Sequence, residues 1–269
     1  MDERDRLRGA KGSPGMIEKA ASLATHEVTD ADLRAINKYT LEPLTADEVF
    51  TFKAVLCDNE VDRTFERFTL KALQDLQKLF QGKTMIKDHA HRADNQVARI
   101  YATELVQSDK TIKGGGELYT QLVAHCYMLK TASNADLIAE IKGGIKKEGS
   151  VGCAVTASFC SICGADNTKT YCRHWPGRSY EKDGVQQLCT FTLAGARDAY
   201  EFSFVAVPAQ RAAGICKSYN GETVYEPQES PETPADGAPG NDPTESEKAA
   251  VLALRARVAA IRAKYANKD

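Results

Sequence analysis

Hydrophobic and polar residues alternate along several short stretches of the chain, and this period of two predicts β-strands. The clearest case is residues 49–56, where every second side chain is apolar and a half-buried strand is expected. Other stretches rich in apolar and β-branched residues also read as strands. They cover residues 84–87, 97–106, 118–128, 151–159 and 199–207, the last one ending at Pro208.

Apolar residues spaced three and four apart predict two amphipathic helices. The first lies at residues 70–80, with Gly82 as its stop signal. The second begins after Asn134. Its apolar face consists of Leu137, Ile138, Ile141 and Ile145. A third, short helix running to about Asn37 is predicted because the polar residues 29–32 can cap its first turn.

The composition of the chain changes after Lys217. Residues 226–245 are rich in Pro, Glu, Asp, Gly and Thr and cannot bury enough apolar surface to fold, so a disordered linker is expected at residues 218–245. Residues 246–269 are helical in pattern, with a heptad-like apolar seam. This helix would dock on a partner or on a second copy of the chain, and a weakly helical tail is equally open. Residues 1–44 are expected to form a mobile arm and the short helix.

The chain has 269 residues, of which 42% are hydrophobic and 27% charged, and its net charge is −2. This composition is typical of a globular protein with one large or two small domains. The near-neutral charge gives no general attraction to nucleic acid or anionic membranes, and no apolar run is long enough to span a bilayer. The charged N-terminus has no apolar signal core behind it. We therefore expect a cytoplasmic protein without a membrane or nucleic-acid partner.

Cysteine and histidine residues cluster in the second half of the chain. Two close pairs, C-x2-C and C-x-H, are separated by an eight-residue loop. Three thiolates and one imidazole fill the tetrahedral shell of zinc and leave no position for water, which is typical of a structural site. Zinc would also fold a loop that has no core of its own. We therefore predict a zinc-knuckle insertion at residues 158–190. Its predicted ligands are Cys160, Cys163, Cys172 and His174, with Cys153 and Cys189 in reserve.

Ser150 is a candidate nucleophile in the sequence Gly-Ser-Val-Gly, although many Gly-Ser pairs are simply turns. Serine reacts only when a base takes its proton, so a histidine must reach it in space. His89 and His91 follow a predicted strand, where active-site groups are often held, whereas His125 lies inside an apolar strand and is better interpreted as structural. Glu201 also lies in an apolar strand. Such a carboxylate either orients an imidazole or faces solvent, and the segment alone does not decide between the two.

Four short motifs follow one another along the chain. They are an Asp-His after a short strand, a Gln-x-Ala-Arg-Ile-Tyr strand, Gly-Ser-Val-Gly after a Gly-Gly helix, and Glu-x-Ser-x-Val-x-x-Pro-Ala. They occupy residues 85–89, 96–101, 145–152 and 200–209. In this order they resemble the phage prohead proteases, the serine proteases of capsid maturation, which are similar in fold to the herpesvirus assemblins. The resemblance covers about residues 45–217, and the order and spacing of the motifs carry it.

The resemblance implies an α+β fold, mainly an antiparallel β-barrel with flanking helices. It also implies a serine endopeptidase with His89 as general base, Ser150 as nucleophile and Glu201 as orienting acid. His91 is the alternative base and Asp198 the alternative acid. The implied substrates are capsid and scaffold precursors, and the chain itself, inside the immature prohead of a bacteriophage in the host cytoplasm.

Two interpretations without enzyme activity stay open. One is a zinc-stabilised capsid assembly or scaffold protein in which Ser150 belongs to a turn. The other is a zinc-knuckle nucleic-acid binder, although the loop has few basic and aromatic residues. If the chain is the enzyme, the zinc insertion would brace the connection between Ser150 and Glu201. Residues 226–245 of the linker would then be a candidate for self-cleavage, and the C-terminal helix a tether to scaffold or capsid protein.

Overall fold

The computed structural model of the protein describes residues 28–219 and 222–224. The arm predicted at the N-terminus, the helix predicted at 246–269 and most of the predicted linker lie outside these residues. Within them, no helix combines the length and the apolar character needed to cross a membrane.

The described chain folds as an α+β protein dominated by strands, which confirms the predicted fold class. The helices are α1 (Asp30–Ile36), α2 (Leu70–Leu79) and α3 (Ala135–Lys142), with short 3-10 turns at Ala93–Asn95 and Ala132–Asn134. The strands are β1 (Val49–Asp58), β2 (Glu66–Phe68), β3 (Thr84–Lys87), β4 (Ala98–Thr111), β5 (Leu118–Leu129), β6 (Gly149–Cys160), β7 (Ser179–Lys182), β8 (Val185–Leu188), β9 (Phe191–Phe204), β10 (Gly214–Ile215), β11 (Lys217–Tyr219) and β12 (Glu222–Val224).

Strand β9 is the structural centre of the large sheet. The strand order is β10-β1-β5-β4-β3-β9-β2, and β6 pairs with β9 along its whole length. The two ends of β9 pair in parallel with β2 and β3, while β6 occupies the other edge. Helix α2 connects β2 to β3 and buries Leu73 and Leu76 in the same core cluster as Phe202 of β9. Elements far apart in the sequence therefore meet on one strand.

The large sheet does not close into a barrel, so the barrel prediction is wrong. Strand β10 spans two residues and meets the segment before β6 through an isolated bridge between Glu148 and Gly214. The chain between β9 and β10 is irregular and supplies no strand long enough to join β1 to β6. The mainly antiparallel character is confirmed, because within the described sheet the parallel pairs are those of β2 and β3 with β9.

Local sequence signals located most of the longer elements. Thr29 begins α1 with a capping box, in which its side chain accepts from Asp32 N–H and the Asp32 side chain accepts from Thr29 N–H. Helix α3 is shorter than its apolar pattern predicted: it ends at Lys142, and Ile145 is 71% exposed. Ser150 lies inside strand β6, so the turn interpretation of its Gly-Ser pair is wrong.

Candidate active site and metal centre

Strands β3, β9 and β6 position the three predicted catalytic residues. His89 follows the end of β3, where Lys87 lies beside Phe204 of β9 in a parallel pair. Glu201 lies three residues before that point on β9, and Ser150 of β6 is directly opposite Ser203 of β9. The three segments are distant in sequence, and the sheet brings them to one edge region.

The His89 ring contacts the Glu201 carboxylate, with 2.7 Å between Nδ1 and Oε1. The side chain of Glu201 is 2% exposed, whereas that of His89 is 41% exposed. The buried carboxylate fixes the imidazole through Nδ1, and Nε2 is left to interact with another group. The alternatives form no such pair among the described residues, because Asp198 pairs with Lys83 (3.5 Å) and the His–carboxylate ion pairs are those of His89 and His125.

The turn that carries His89 has an uncommon backbone conformation. Asp88 and His89 have φ values of 55° and 50°, in the left-handed region that costs energy for residues other than glycine. Hydrogen bonds hold this turn in place: Asp88 N–H donates to Phe204 O (2.9 Å) and Ala90 N–H donates to Lys87 O (3.0 Å). In this conformation the imidazole reaches Glu201 of β9.

Ser203 is a buried polar residue at the site that the sequence analysis did not assign. Its hydroxyl donates to Glu201 Oε2 (2.5 Å) and accepts from the backbone N–H of His89 (3.1 Å). Ser203 is fully buried. The Glu-x-Ser spacing was the available signal, because residues two apart in a strand lie on the same face.

Ser150 lies on the same face of the sheet as Glu201 and Ser203. It is the cross-strand neighbour of Ser203, and cross-strand neighbours share a face. Two residues on, Gly152 is opposite Glu201, and a Cβ atom at Gly152 would lie 2.4 Å from Glu201 Oε1. The missing side chain at Gly152 thus makes room for the carboxylate. Among the described residues, no hydrogen bond joins Ser150 Oγ to the His89 ring.

A second histidine–glutamate pair offers a comparison within the same sheet. His125 Nε2 lies 2.8 Å from Glu104 Oε1, but Glu104 is 43% exposed and also binds Lys53 at 3.0 Å. Its charge is therefore shared with a lysine and partly solvated. This arrangement fits the structural role predicted for His125, and it makes His125 a matched control for experiments on His89.

The pKa of His89 is raised above its ordinary value, chiefly by the hydrogen bond to Glu201, while partial burial acts in the opposite direction. We expect Glu201→Gln to lower the His89 pKa, because the neutral amide no longer favours the imidazolium. Titration of the His89 ring protons by NMR measures this change. An unchanged or higher His89 pKa in Glu201→Gln would contradict the assigned cause.

The same pKa shift gives stability a defined pH dependence. Because the folded-state pKa of His89 is raised, its pairing with Glu201 stabilises the fold fully below the unfolded pKa of about 6.5. This contribution is lost as the pH rises through the folded-state pKa. The difference in unfolding free energy between wild type and His89→Ala should therefore shrink as the pH rises from the unfolded-state pKa of His89 through its folded-state pKa.

The predicted metal ligands converge in the loop between β6 and β9. The ligand atoms of Cys160, Cys163, Cys172 and His174 all lie within 4.8 Å of one another. Cys160 Sγ is 3.7 Å from His174 Nδ1. A tetrahedral shell with metal–sulfur bonds of about 2.3 Å places its ligand atoms roughly 3.8 Å apart. These four residues could therefore hold a metal ion with small adjustments of side chains.

The local backbone prepares Cys160 for metal binding. Burial acts to raise the pKa of the Cys160 thiol, but hydrogen bonds from the backbone N–H groups of Cys163 and Ile162 lower it overall. The tight knuckle that aims these N–H groups at sulfur is closed by Gly164, whose N–H donates to Cys160 O (2.9 Å) and whose φ is 72°. A lowered thiol pKa favours the thiolate, which is the form that binds metal.

The two reserve ligands have different surroundings. Cys189 Sγ lies 3.9 Å from Cys160 Sγ in the buried cluster of the loop. Cys153 lies seven residues before Cys160 on the same strand, which corresponds to roughly 23 Å, and packs against the main core. Cys189 therefore borders the metal centre, and Cys153 is remote from it.

No family model, no curated protein and no solved structure matches the chain.

Proposed function

We propose that this protein is a serine endopeptidase, with Ser150 as nucleophile, His89 as general base and Glu201 as orienting acid. The observation that supports it most is the 2.7 Å contact between the His89 ring and the buried Glu201, two residues 112 positions apart. The order of motifs that resembles the prohead proteases suggests its substrates, which are capsid and scaffold precursors cut inside an immature prohead, and its own linker.

The proton transfers of this reaction follow from the ring contacts. Glu201 is an acceptor towards Nδ1, so His89 carries its proton on Nδ1 and keeps a lone pair on Nε2. Nε2 then takes the proton of Ser150 as the hydroxyl attacks a peptide carbonyl, and later gives it to the leaving amine. Ser150 must turn towards the ring for this step, a tightening that catalytic hydrogen bonds commonly undergo when substrate binds.

The oxyanion of the tetrahedral intermediate needs fixed N–H donors. Gly149 N–H already donates to Ala213 O at 3.2 Å, on the edge of β6 that faces away from β9. Since alternate N–H groups of a strand point to the same edge, the next donor on that side is Val151 N–H. We assign the oxyanion contact to Val151, directly after the nucleophile.

A cavity of about 320 Å³ adjoins these residues and is suited to a substrate side chain. It lies between the turn before His89, the residues before Ser150 and the end of β9. Its lining combines five apolar residues with two lysines and two carboxylates. The lining residues are Lys87, Asp88, Leu137, Ile145, Lys146, Glu148, Phe204, Val205 and Ala206.

The metal centre has a structural role in this proposal, and zinc is the metal that its ligands favour. Three thiolates and one imidazole form a closed tetrahedral set without a position for substrate. The centre lies at the far end of β6 from Ser150, since Cys160 comes ten positions after Ser150 on the same strand. Elemental analysis of purified protein distinguishes zinc from iron.

Labelling with a fluorophosphonate probe tests the proposed activity. We expect the probe to modify Ser150 and processing to occur when the chain is expressed with its capsid protein. Ser150→Ala should abolish both, and His89→Ala should reduce both by on the order of 10⁴-fold or more. Co-expression matters, because a maturation protease can be silent until assembly.

Matched variants separate catalysis from folding. His125→Ala removes the other carboxylate-bound histidine of the sheet, and Ser158→Ala removes another hydroxyl of β6. Both should retain labelling and processing. Processing that continues in Ser150→Ala would refute the nucleophile. Absence of processing and labelling in wild type assembled with capsid protein would favour the zinc-stabilised assembly protein instead.

A further inference from the structure

A closed circuit of hydrogen bonds links Ser203, Glu201 and His89. His89 N–H donates to Ser203 Oγ (3.1 Å), Ser203 donates to Glu201 Oε2 (2.5 Å), and Glu201 Oε1 meets His89 Nδ1 (2.7 Å). Ser203 thus contacts the backbone of His89 directly and its ring through the carboxylate. Glu201 is 1% exposed and Ser203 is 0% exposed, so water does not compete for these bonds.

The direction of each hydrogen bond in the circuit is fixed by chemistry. A backbone N–H can only donate, so Ser203 Oγ is the acceptor from His89. An ionised carboxylate can only accept, so the single hydroxyl proton of Ser203 goes to Glu201. Bonds from a hydroxyl to a carboxylate are short and strong, in agreement with the 2.5 Å distance. Ser203 is therefore bonded twice: its proton goes to Glu201 and one of its two lone pairs accepts from His89, so no free proton is left for a general base to remove.

The circuit also explains how an unfavourable turn persists. Asp88 and His89 both have left-handed φ values, which surrounding contacts must impose. The bond from His89 N–H to Ser203 ties the second of these residues to β9. Without it, the turn can relax to ordinary φ values and carry the imidazole away from Glu201.

We propose that Ser203 is a positioning residue that sets the His89 imidazole against Glu201 by holding the backbone and the carboxylate at once. It acts through His89 and does not touch the substrate. The proposal rests on the proposed function for its catalytic consequence, but the placement of the ring is a separate property that can be measured in an inactive protein. If Ser203 only filled space on its face of β9, alanine would serve equally well.

The test compares Ser203→Ala with Ser203→Thr, which keeps the hydroxyl, and Ser203→Cys, which keeps the volume. In Ser203→Ala we expect the His89 amide proton to exchange at least about tenfold faster and the hydrogen-bonded Nδ1–H resonance to disappear. Turnover should fall by on the order of 10²-fold with little change in KM. Ser203→Thr should restore all three readouts towards wild type.

A buried hydroxyl elsewhere in the sheet provides the control. Thr51 Oγ1 is buried with no hydrogen-bond partner among the described residues, so Thr51→Val removes a hydroxyl without breaking a bond. It should leave the His89 amide and ring signals unchanged. Wild-type signals in Ser203→Ala would overturn the proposal. If Ser203→Ala does not fold, Ser203→Cys takes its place: its weak S–H donor should give an intermediate loss of both signals, and wild-type signals would again overturn the proposal.

The failure of this inference is distinguishable from failure of the proposed function. Altered His89 signals in Ser203→Ala, with no protease activity in wild type, would support the positioning role and refute the enzyme. Activity in wild type, with unaltered His89 signals in Ser203→Ala, would support the enzyme and refute the positioning role of Ser203.

Discussion

Removal of a metal ion from the Cys160, Cys163, Cys172 and His174 group is expected to unfold the loop between β6 and β9 while the two strands stay paired. The buried cluster of this loop is small and consists largely of thiols: Cys160, Cys172, Cys189 and Phe191. Structural zinc contributes apparent binding free energies of about 10–16 kcal/mol in small domains, far more than one buried phenylalanine supplies. The β6–β9 ladder has its own packing in the main core and does not depend on the metal.

Hydrogen exchange with mass spectrometry, before and after chelation, measures this effect. Residues 161–190 should lose protection, and most of the β6–β9 ladder should keep it. Cys160→Ser should reproduce the metal-free state, whereas Cys153→Ser, which changes a thiol of the same strand outside the cluster, should bind metal normally. Unchanged protection of the loop after the metal has been removed would contradict the structural role.

Addition of one methyl group at Gly152 is expected to abolish the proposed activity without unfolding the protein. The new Cβ would lie 2.4 Å from Glu201 Oε1 and 3.2 Å from its Cδ, so the carboxylate must move. Any rotation that relieves the contact breaks the 2.7 Å bond to His89. We expect Gly152→Ala to lower the labelling rate of Ser150 by on the order of 10⁴-fold, as when a triad imidazole loses its orientation.

The cost in stability should be that of a crowded core, about 1–3 kcal/mol. Gly116→Ala is the matched control, because a Cβ there meets nothing within 4 Å and its φ does not require glycine. Labelling kinetics and thermal unfolding of both variants measure the two effects separately. The NMR signal of the His89 ring adds a readout that does not need activity. Full labelling of Gly152→Ala would show that Glu201 does not need its present position.

Elements with local signals were predictable from the sequence. Strand β3 has the predicted bounds, β5 differs by one residue at its end, and the polar residues before α1 form the expected cap. Long-range pairing was not predictable. Nothing in the alternation of β3 or β9 specifies that they pair in parallel, and the barrel prediction failed at β10, where irregular chain takes the place of a joining strand.

The sequence named candidate residues of the site, but it did not indicate the hydrogen bonds that join them. His89 and Glu201 came from the resemblance, and their contact depends on the left-handed turn after β3, which no propensity indicates. Ser203 was overlooked because a serine between two phenylalanines has the ordinary alternation of a strand. Cys189 could be named only as a reserve, because 15 residues and a hairpin separate it from His174.

The central position of β9 has a consequence for the order of events during synthesis. A ribosome makes His89 and Ser150 well before Glu201, and β3 and β6 both depend on β9 for an edge partner. A contact across 112 residues also carries a larger loop-closure cost than local contacts do, so we expect it to form late in folding. Until residue 204 has left the ribosome, the imidazole lacks its carboxylate. For a protein with the proposed activity, this delay protects the part of the nascent chain that is made before Glu201 from premature hydrolysis.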